Sequence, residues 1–437
     1  MKRSTGLLCF TLFLAIPCQS AFPVATETNW LKDQSIGKSF GVQIKEWNTK
    51  PEELDEIKAS GFGLLRYGIA WRNVENESGS YIWTQYDRFI EQVRARHLRS
   101  IIILYGGHPD YSGEIDAPHD ATNLNHVQTL IRAPTDKRAV QAFARFAAAA
   151  AQRYRGDDII WEIWNEPDLN YFWPPKTDPN AYAKLAVATC QSIRDVAPNT
   201  KIIGPAAAGM PSLQDWLGLG LIATVLRSPA SSCFDAISVH SYRMEPNKAP
   251  KSPESVMKDN TSALAFIAEH TRKGQHPLPL ICSEWGFSSI EVTPEQQADY
   301  VMRMHLSNLL SGVPVTIWYE WRDSMQGETD SEAHYGLIDY VGKDKPAIKA
   351  VRAILPLIHD DVIERRIVVM DPRDYVLRLR HPDGKHALLF WSTRPASEAS
   401  SLLALEQDKS IPMASAPQLI ETEENAPQVT VKNVEGP

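Results

Sequence analysis

Eight short apolar runs, separated by longer helical patterns, constrain the fold of this chain more than any other feature. The runs are FGVQI at 40–44, LLRYGI at 64–69, SIIILY at 100–105, IIWEIW at 159–164, KIIGP at 201–205, AISVH at 236–240, LPLICS at 278–283 and PVTIWY at 314–319. Strands that are apolar along their whole length are typical of parallel sheets covered on both faces. The repeated strand–helix unit therefore predicts an α/β fold, a (β/α)8 TIM barrel.

The segments between these runs carry apolar residues at the spacing of about 3.6 residues that marks an amphipathic helix. The clearest helical patterns cover residues 51–59, 83–96, 138–154, 180–196 and 295–310. An open, doubly wound parallel sheet is the alternative arrangement for such units. That fold is expected to have a glycine-rich phosphate turn after an early strand, and the sequence has none there.

Three segments are predicted along the 437 residues. Residues 1–20 combine a basic start with a short apolar run, the pattern of a cleavable signal peptide that directs export to the periplasm or the outside of the cell. Residues 21–355 contain the predicted barrel. Residues 356–437 contain short β-type runs parted by turn residues, which predict a small antiparallel β domain with a polar tail from about Glu421.

Net charge limits the possible binding partners, and cysteine content limits the possible disulfides. The formal charge is −8, from 45 basic and 53 acidic residues, and this argues against nucleic acid as a partner. No run after the signal is long and apolar enough for a transmembrane segment, and the sequence carries no signal for an oligomeric state. Cys190, Cys233 and Cys282 are an odd set in apolar surroundings, so we expect buried free thiols rather than a disulfide framework.

Two glutamates come directly after predicted strands. Glu166 follows the fourth run in Trp-Asn-Glu-Pro, and Glu284 follows the seventh in Ser-Glu-Trp-Gly. Barrel enzymes carry their chemistry at the carboxyl ends of the strands, and strands four and seven lie across the ring from each other. Two facing carboxyl groups in different protonation states are what hydrolysis of a glycosidic bond requires. The alternative is that each glutamate is a rim charge or half of an ion pair.

These motifs resemble the clan A barrel glycoside hydrolases. The longer stretches WEIWNEPDLNYFWPPKTDPNAYAKL, LICSEWGFSS and HYGLIDYVGKDKPA look closest to family 39, including bacterial exopolysaccharide glycosidases, with family 5 next. The resemblance covers roughly residues 40–355 and implies a retaining glycosidase that cleaves β-linked poly- or oligosaccharides. It implies that Glu166 is the acid/base, Glu284 the nucleophile, and Asn165 the residue that holds the 2-hydroxyl. Retention requires carboxyl groups about 5 to 5.5 Å apart.

The same resemblance suggests roles for residues at other strand ends. Arg66 is a charge inside an apolar strand and needs a partner; the resemblance implies that it supports Glu284, and another ion pair is the alternative. His240 and Tyr242 follow the sixth strand, where relatives place a pocket histidine and a tyrosine that hydrogen-bonds the nucleophile. His108, after the third strand, is expected to contact substrate or to be a loop histidine.

Aromatic residues are the expected walls of the sugar site. In the eighth strand Trp318 matches the position of an aromatic platform in clan relatives. Tyr171, Phe172 and Trp173, in the loop after the predicted acid/base, are expected to line a subsite or to pack that loop on the barrel. Glu320 and Asp323 are two further carboxylates, which either pair with Arg322 or contact substrate hydroxyls.

Three other functions are alternatives to a glycosidase on this fold. A metal-dependent barrel hydrolase is expected to show a His-x-His pair after the first strand, which here reads Gly-Val-Gln-Ile-Lys, so we expect neither a metal nor a cofactor. A non-catalytic polysaccharide-binding protein on the same fold would be expected to lack one of the two carboxylates. A transglycosylase would use the same residues as a hydrolase.

Overall fold

The computed structural model describes most of the chain and leaves out the predicted signal peptide. The described residues are 31, 34–46, 49–76, 79–116, 129–156, 158–208, 216–242, 252–325, 327, 329–395, 401–404, 410–422 and 430–433. The prediction for residues 1–20 lies outside this part of the chain.

Eight parallel strands close into a barrel, as the sequence predicts. They are β1 (Phe40–Gln43), β2 (Leu64–Ala70), β3 (Arg99–Tyr105), β4 (Ile159–Ile163), β5 (Lys201–Ala207), β6 (Ala236–His240), β7 (Leu280–Trp285) and β8 (Thr316–Trp318). Each strand pairs with the next one in this order, and β8 pairs with β1. The (β/α)8 prediction is confirmed, and all eight apolar runs supply a barrel strand.

The interior of the barrel changes from apolar to polar along the strands. Near the amino ends of the strands the interior is a layer of aliphatic side chains, which includes Leu64 on β2 and Ile160 on β4. Because strand side chains alternate between two faces, the residues two positions further on point the same way. Those residues are Arg66 and Glu162, which lie one layer nearer to the carboxyl ends. The polar layer is therefore built into the strands themselves.

Helices cover the outside of the barrel. The α-helices are Ile36–Ser39, Pro51–Ala59, Trp71–Val74, Thr84–Ala95, Pro109–Ser112, Lys137–Arg153, Pro179–Val196, Trp216–Arg227, Val256–His270, Pro294–Leu310 and Pro346–Ile354, with 3-10 turns at Pro229–Ser232, Pro253–Ser255 and Ser331–His334. The five predicted helical patterns all match, to within one residue at each end. Among the described residues, no helix has the length and apolar character needed to cross a bilayer.

Several helix starts follow from local side-chain chemistry. The carboxylate of Asp136 accepts hydrogen bonds from two backbone amides at the start of Lys137–Arg153, and Asp178 does the same for Pro179–Val196. Thr293 and Gln296 form a reciprocal capping box at the start of Pro294–Leu310. These caps satisfy amides that have no partner inside the helix.

The C-terminal region consists of two small antiparallel sheets. One contains β9 (Val362–Ile367), β10 (Asp374–Arg380), β11 (His386–Ser392) and β14 (Gln418–Thr422); the other contains β12 (Ser401–Ala404), β13 (Ser410–Pro412) and β15 (Thr430–Asn433). One set of side chains on β10 and β11 joins the main hydrophobic core, and the alternate set packs with Leu403 and Met413 from the second sheet. The predicted β domain is therefore confirmed.

A buried ion pair ties this β domain to the barrel. Arg303 donates two hydrogen bonds to Glu254, at 2.7 and 2.8 Å, within the barrel's helical shell. Trp391 on β11 donates its indole N–H to the same carboxylate at 2.9 Å, and Arg303 also donates to the hydroxyl of Ser415. Removing Glu254 or Arg303 would leave the other charge buried and unpaired, so we expect this cluster to stabilise the contact between the β domain and the barrel.

Two described pieces of the polar tail predicted from about Glu421 lie in strands: β14 runs to Thr422, and β15 pairs antiparallel with β12. One expectation drawn from the sequence is wrong here. Cys190 and Cys233 are not free thiols. They form a disulfide with their Cα atoms 6.2 Å apart, whereas Cys282 is free and buried as expected.

The disulfide predicts a measurable loss of stability when it is removed. It closes a loop of 43 residues in sequence, and restricting the unfolded chain by such a loop contributes about 3 to 4 kcal/mol. We expect Cys190→Ser/Cys233→Ser to lower the free energy of unfolding by about that amount in urea denaturation. Cys282→Ser is the control, because this variant keeps the disulfide. We expect a reductant to lower its free energy of unfolding as it does that of the wild type. Identical curves for the double variant and the wild type would contradict the assignment.

Candidate active site

The two glutamates singled out in the sequence meet at the carboxyl end of the barrel. Glu284 lies on β7 and Glu166 just after β4, and each is only 8% exposed. One carboxylate oxygen of each and a ring nitrogen of His240 all lie within 4.8 Å of one another. Glycosidases that invert configuration hold their carboxyl groups about 6.5 to 9.5 Å apart. The observed spacing is shorter than that range.

The backbone around Glu166 adopts an unusual conformation. Trp164 and Glu166 have φ angles of 73° and 44°, in the left-handed region that residues with a Cβ rarely occupy. The amide of Glu166 donates to the carbonyl of Ala206 at 3.1 Å, and the indole of Trp164 donates to the carbonyl of Phe172 at 2.8 Å. These bonds hold a conformation that costs about 1 to 3 kcal/mol per residue.

Arg66 on β2 is the centre of the polar network. Its Nε donates to Glu162 at 2.7 Å, Nη1 donates to Glu284 and to Gln43 at 2.5 Å each, and Nη2 donates to Asn165 at 2.8 Å. Nη2 also lies 3.3 Å from Nε2 of His240. The guanidinium has five N–H groups, and each of them has a neighbouring acceptor. The Arg66 side chain has no exposed surface.

His240 connects the two glutamates. It ends β6, and its backbone position pairs with that of Glu284 on β7. Its Nδ1 lies 2.7 Å from a Glu166 oxygen and 3.8 Å from a Glu284 oxygen. Since Arg66 only donates, Nε2 accepts from it, and the proton of a neutral His240 then sits on Nδ1, facing Glu166.

The two glutamates have pKa values shifted in opposite directions. Burial dominates at Glu166 and raises its pKa, although His240 acts against this. Burial would also raise the pKa of Glu284, but His240, the guanidinium of Arg66 and the hydrogen bond from Tyr242 outweigh it and lower that pKa. The surroundings therefore make Glu166 hold a proton more strongly than Glu284 does.

Asn165 and Tyr242 both belong to the polar network around Arg66 and Glu284. The hydroxyl of Tyr242 donates to Glu284 at 2.8 Å, on the oxygen that Arg66 does not take. The carbonyl oxygen of Asn165 accepts from Arg66, which leaves its NH₂ group as the remaining donor of that side chain. Asn165 and Tyr242 are both half-buried.

The expected aromatic platforms are not where the sequence places them. Trp318 and Trp173 both have no exposed surface. Trp318 donates to the carbonyl of Tyr335 at 3.2 Å, and Trp173 packs edge-on against Trp164. A side chain without exposed surface has no face to offer to a sugar ring, so the predicted contact role of both tryptophans is wrong. They are large apolar groups that fill the core, as Trp usually does.

Other aromatic residues are exposed on this face of the barrel. Tyr171 is 43% exposed in the loop after Glu166, and Tyr105, which ends β3, is 37% exposed. Phe172 is half-buried against Tyr171. Two of the three aromatic residues predicted in the loop after Glu166 are thus accessible, and the third is the buried Trp173.

His108 lies apart from the two glutamates. It is 4% exposed, and its Nε2 lies 3.3 Å from the carbonyl of Glu75. It lines an open cleft of about 760 Å³ together with Arg72, Glu114 and Ile131. The structure therefore places His108 beside a cleft. Within the described ranges the hydrogen bonds and ring contacts of its side chain are with Glu75, Asp110, Trp71 and Tyr111.

The extra carboxylates after β8 have partners other than Arg322. Glu320 pairs with Lys45 at 3.2 Å, and Asp323 pairs with Lys345 at 3.1 Å. Burial raises the pKa of Glu320 to about 7, although Lys45 acts against it. Arg322 instead pairs with Glu53. Glu320 and Asp323 therefore each contact a lysine rather than Arg322.

Sequence reasoning missed two members of the network, Glu162 and Gln43. Glu162 is completely buried in the apolar run IIWEIW, as Arg66 is in LLRYGI. The signal for both is the same, a charge inside an apolar strand that requires a partner. Gln43 stands beside Arg66 in the register of β1 and β2, which only the fold reveals.

Glu166, His240 and Glu284 are also a set that could hold a metal ion. Their donor atoms, however, already bond to one another, to Arg66 and to Tyr242. A cation here would face the Arg66 guanidinium at close range. The donor set therefore fits proton transfer better than metal binding.

Comparison with known proteins connects this site with carbohydrate chemistry. Residues 24–324 match the family described as cellulase (glycosyl hydrolase family 5). The chain is 25% identical over 268 residues to a β-xylosidase of Geobacillus stearothermophilus. That match covers 54% of this chain and 47% of the relative, so the chain spans about half of that protein's length.

Solved structures show the same fold. A family 39 glycoside hydrolase from the gut symbiont Bacteroides cellulosilyticus WH2 has a TM-score of 0.69 at 18% identity, covering 90% of this chain and 82% of that one. A family 30 endoxylanase from Clostridium papyrosolvens C71 has a TM-score of 0.56 at 13% identity, covering 92% and 97%. The resemblance to clan A is confirmed, and the matching profile is that of family 5, which the motifs rank second.

The hydrogen bond from Tyr242 to Glu284 predicts a pKa change. Tyr242→Phe removes a donor that stabilises the charged carboxylate, so we expect the pKa of Glu284 to rise by about one unit. The measurement is a carboxyl ¹³C NMR titration, with the signal assigned by its loss in Glu284→Gln. Tyr335→Phe is the matched control, since that ring packs on Tyr242. A Glu284 pKa that is equal in wild type and Tyr242→Phe would contradict the expected role.

Proposed function

Because the chain belongs to the cellulase family, glycosyl hydrolase family 5, we propose that it is a retaining glycosidase that cleaves β-linked poly- or oligosaccharides. Glu166 is the proposed general acid/base and Glu284 the proposed nucleophile. One observation carries this proposal: two buried carboxyl groups approach within 4.8 Å and have pKa values shifted in opposite directions.

The proposed first step uses both protonation states. The Glu284 carboxylate attacks the anomeric carbon and forms a covalent ester, while Glu166 gives its proton to the departing glycosidic oxygen. As Glu284 loses its charge in the ester, Arg66 still has Glu162 as an anionic partner. The positive charge of Arg66 stabilises Glu284 as an anion before attack and as a leaving group afterwards.

The proposed second step reverses the roles. Glu166, now ionised, accepts a proton from water, whose oxygen attacks the anomeric carbon and displaces Glu284. His240, 2.7 Å from Glu166, stabilises that carboxylate in this state. Two displacements at one carbon retain its configuration. The distance between the carboxyl groups supports this course over a single displacement, which needs room for a water between them.

The names of the related proteins support the proposed substrate class. The relative that this chain matches over 268 residues is a β-xylosidase, and one of the solved structures with the same fold is an endoxylanase. Both terms refer to sugar polymers or their fragments, and an exposed Tyr171 near the site is of the residue type on which sugar rings stack. The lengths of the sugar products released from a polysaccharide would distinguish internal cleavage from cleavage at the end of the polymer.

A non-catalytic binding protein is the main alternative from another class. It would need neither a protonated Glu166 nor an ionised Glu284, and the cost of burying both carboxyl groups would have no purpose. A transglycosylase shares the first proposed step and passes the sugar to another sugar instead of water.

We also propose that the protein is exported. The Cys190–Cys233 disulfide supports this, since such bonds form and persist in oxidising compartments. The signal pattern in residues 1–20 is the second support. The periplasm and the cell exterior both fit these two features.

The proposed roles predict different behaviour for the two glutamate variants. Glu284→Gln removes the nucleophile, so we expect turnover to fall by on the order of 10⁴-fold or more. Glu166→Ala is expected to slow cleavage of natural linkages by about 10² to 10⁴-fold. On an aryl glycoside with a good leaving group, added azide should restore turnover, because this anion attacks the anomeric carbon and displaces Glu284 without needing a base, and the product is a glycosyl azide. The assay is a panel of β-linked polysaccharides and aryl glycosides, with products read by mass spectrometry and their configuration by NMR.

Glu75→Gln is the matched control for these variants. Glu75 is a buried glutamate that bonds to Trp71 and Tyr111, away from Arg66, so its loss should leave turnover close to wild type. Products of inverted configuration would reject the retaining course. Unchanged turnover in Glu284→Gln would reject the assignment of the nucleophile. Binding without any products would favour the polysaccharide-binding alternative.

The export proposal predicts a processed protein. When the full chain is expressed in a Gram-negative host, we expect it in the periplasm or medium, with a new amino terminus near Ala21 by mass spectrometry. A variant without residues 2–20 is expected to stay in the cytoplasm. An unprocessed full-length chain in the cytoplasm would reject the proposal.

A further inference from the structure

We propose that Glu162 is a positioning residue that holds the Arg66 guanidinium and shares its charge with Glu284, and thereby sets the basicity of the nucleophile. This inference rests on the proposed function, in which Glu284 attacks the sugar. It adds a residue from inside the barrel that no sugar can reach.

Glu162 is isolated from solvent and from any ligand. It has no exposed surface, and it lies on β4 four residues before Glu166. Its Oε2 accepts from Nε of Arg66 at 2.7 Å. Among the described residues, its Oε1 is buried and has no hydrogen-bond partner. In the described part of the chain, its one hydrogen bond is therefore the bond from Arg66.

The geometry of arginine transmits this contact to the catalytic residues. A guanidinium is a rigid planar fork, so fixing its Nε also fixes the directions of Nη1 and Nη2. Nη1 then faces Glu284 at 2.5 Å, and Nη2 faces Asn165 at 2.8 Å. Arg66 and Glu162 come from β2 and β4, whose side chains share a layer of the barrel interior. Glu162 on β4 thus fixes the guanidinium of Arg66 at its Nε atom.

Glu162 also changes the electrostatic stabilisation that Glu284 receives from Arg66. One buried guanidinium lies between two carboxylates, Glu162 and Glu284. Burial would lower the pKa of Arg66, but these two carboxylates outweigh it and raise that pKa. Since one positive charge serves two anions, Glu162 weakens the net stabilisation that Glu284 receives. A nucleophile paired with Arg66 alone would be less basic and would attack more slowly.

The test is Glu162→Gln, which keeps the size of the side chain and an acceptor for Nε while removing the charge. With one anion fewer nearby, Glu284 is more easily ionised, so its pKa should fall by on the order of one unit. Carboxyl ¹³C NMR measures this directly. In kinetics on an aryl glycoside, the acidic limb of the kcat/KM profile should move to lower pH by the same amount, and glycosyl-enzyme formation should slow by up to about tenfold.

Tyr182→Phe is the control for a merely structural effect. The Tyr182 hydroxyl donates to the carbonyl of Ile163 on β4 at 2.8 Å, and the residue is fully buried. Its variant should lower thermal stability and leave the pH profile in place. If Glu162→Gln does not fold, Glu162→Asp keeps the charge but draws the anion back from Nε. We then expect the acidic limb unmoved and kcat lowered with KM little changed, because the fork is displaced.

The outcomes separate this inference from the proposed function. An unchanged Glu284 pKa and pH profile in Glu162→Gln, with only stability reduced, would overturn the inference. So would a Glu162→Asp variant with wild-type kcat. If the wild type shows no turnover on any substrate, the proposed function fails, and the NMR titration of Glu284 still decides whether Glu162 controls its charge.

Discussion

The Arg66 guanidinium is the interaction on which the polar interior of this protein depends. It is completely buried in a β strand, and burying an unpaired charge would cost many kcal/mol. Its five N–H groups are therefore matched by acceptors from several strands, among them Glu162, Asn165 and Glu284. The barrel brings these strands together at one layer, and the network in turn fixes the side chains that line its mouth.

The opposite pKa shifts of the two glutamates follow from their neighbours. Glu284 is reached by Arg66 and Tyr242, which stabilise its anion, while Glu166 is buried with His240 as its polar partner. Two identical side chains can thus take two different roles in the proposed reaction. The aromatic residues contribute less directly than expected. The buried Trp173 and Trp318 pack the structure beneath the site, and the exposed tyrosines lie around it.

Much of the fold could be predicted because the barrel strands are local patterns. Apolar runs such as SIIILY and AISVH carry their own strand preference, and a helix start such as Thr293 with Gln296 is complete within four residues. Glu166 and Glu284 could be found because each ends such a run. The Cys190–Cys233 bond could not be found, since pairing across 43 residues depends on how a helix and a distant turn come together.

The sequence by itself determined the barrel, the small β domain and the two strand-end glutamates, because each depends on residues close together in the chain. Only the tertiary structure decided which charges meet. Arg66 lies 96 residues from Glu162 and 218 from Glu284, so no local pattern shows that one guanidinium serves both. It also decided which tryptophans are buried, since exposure is a property of packing and not of residue type.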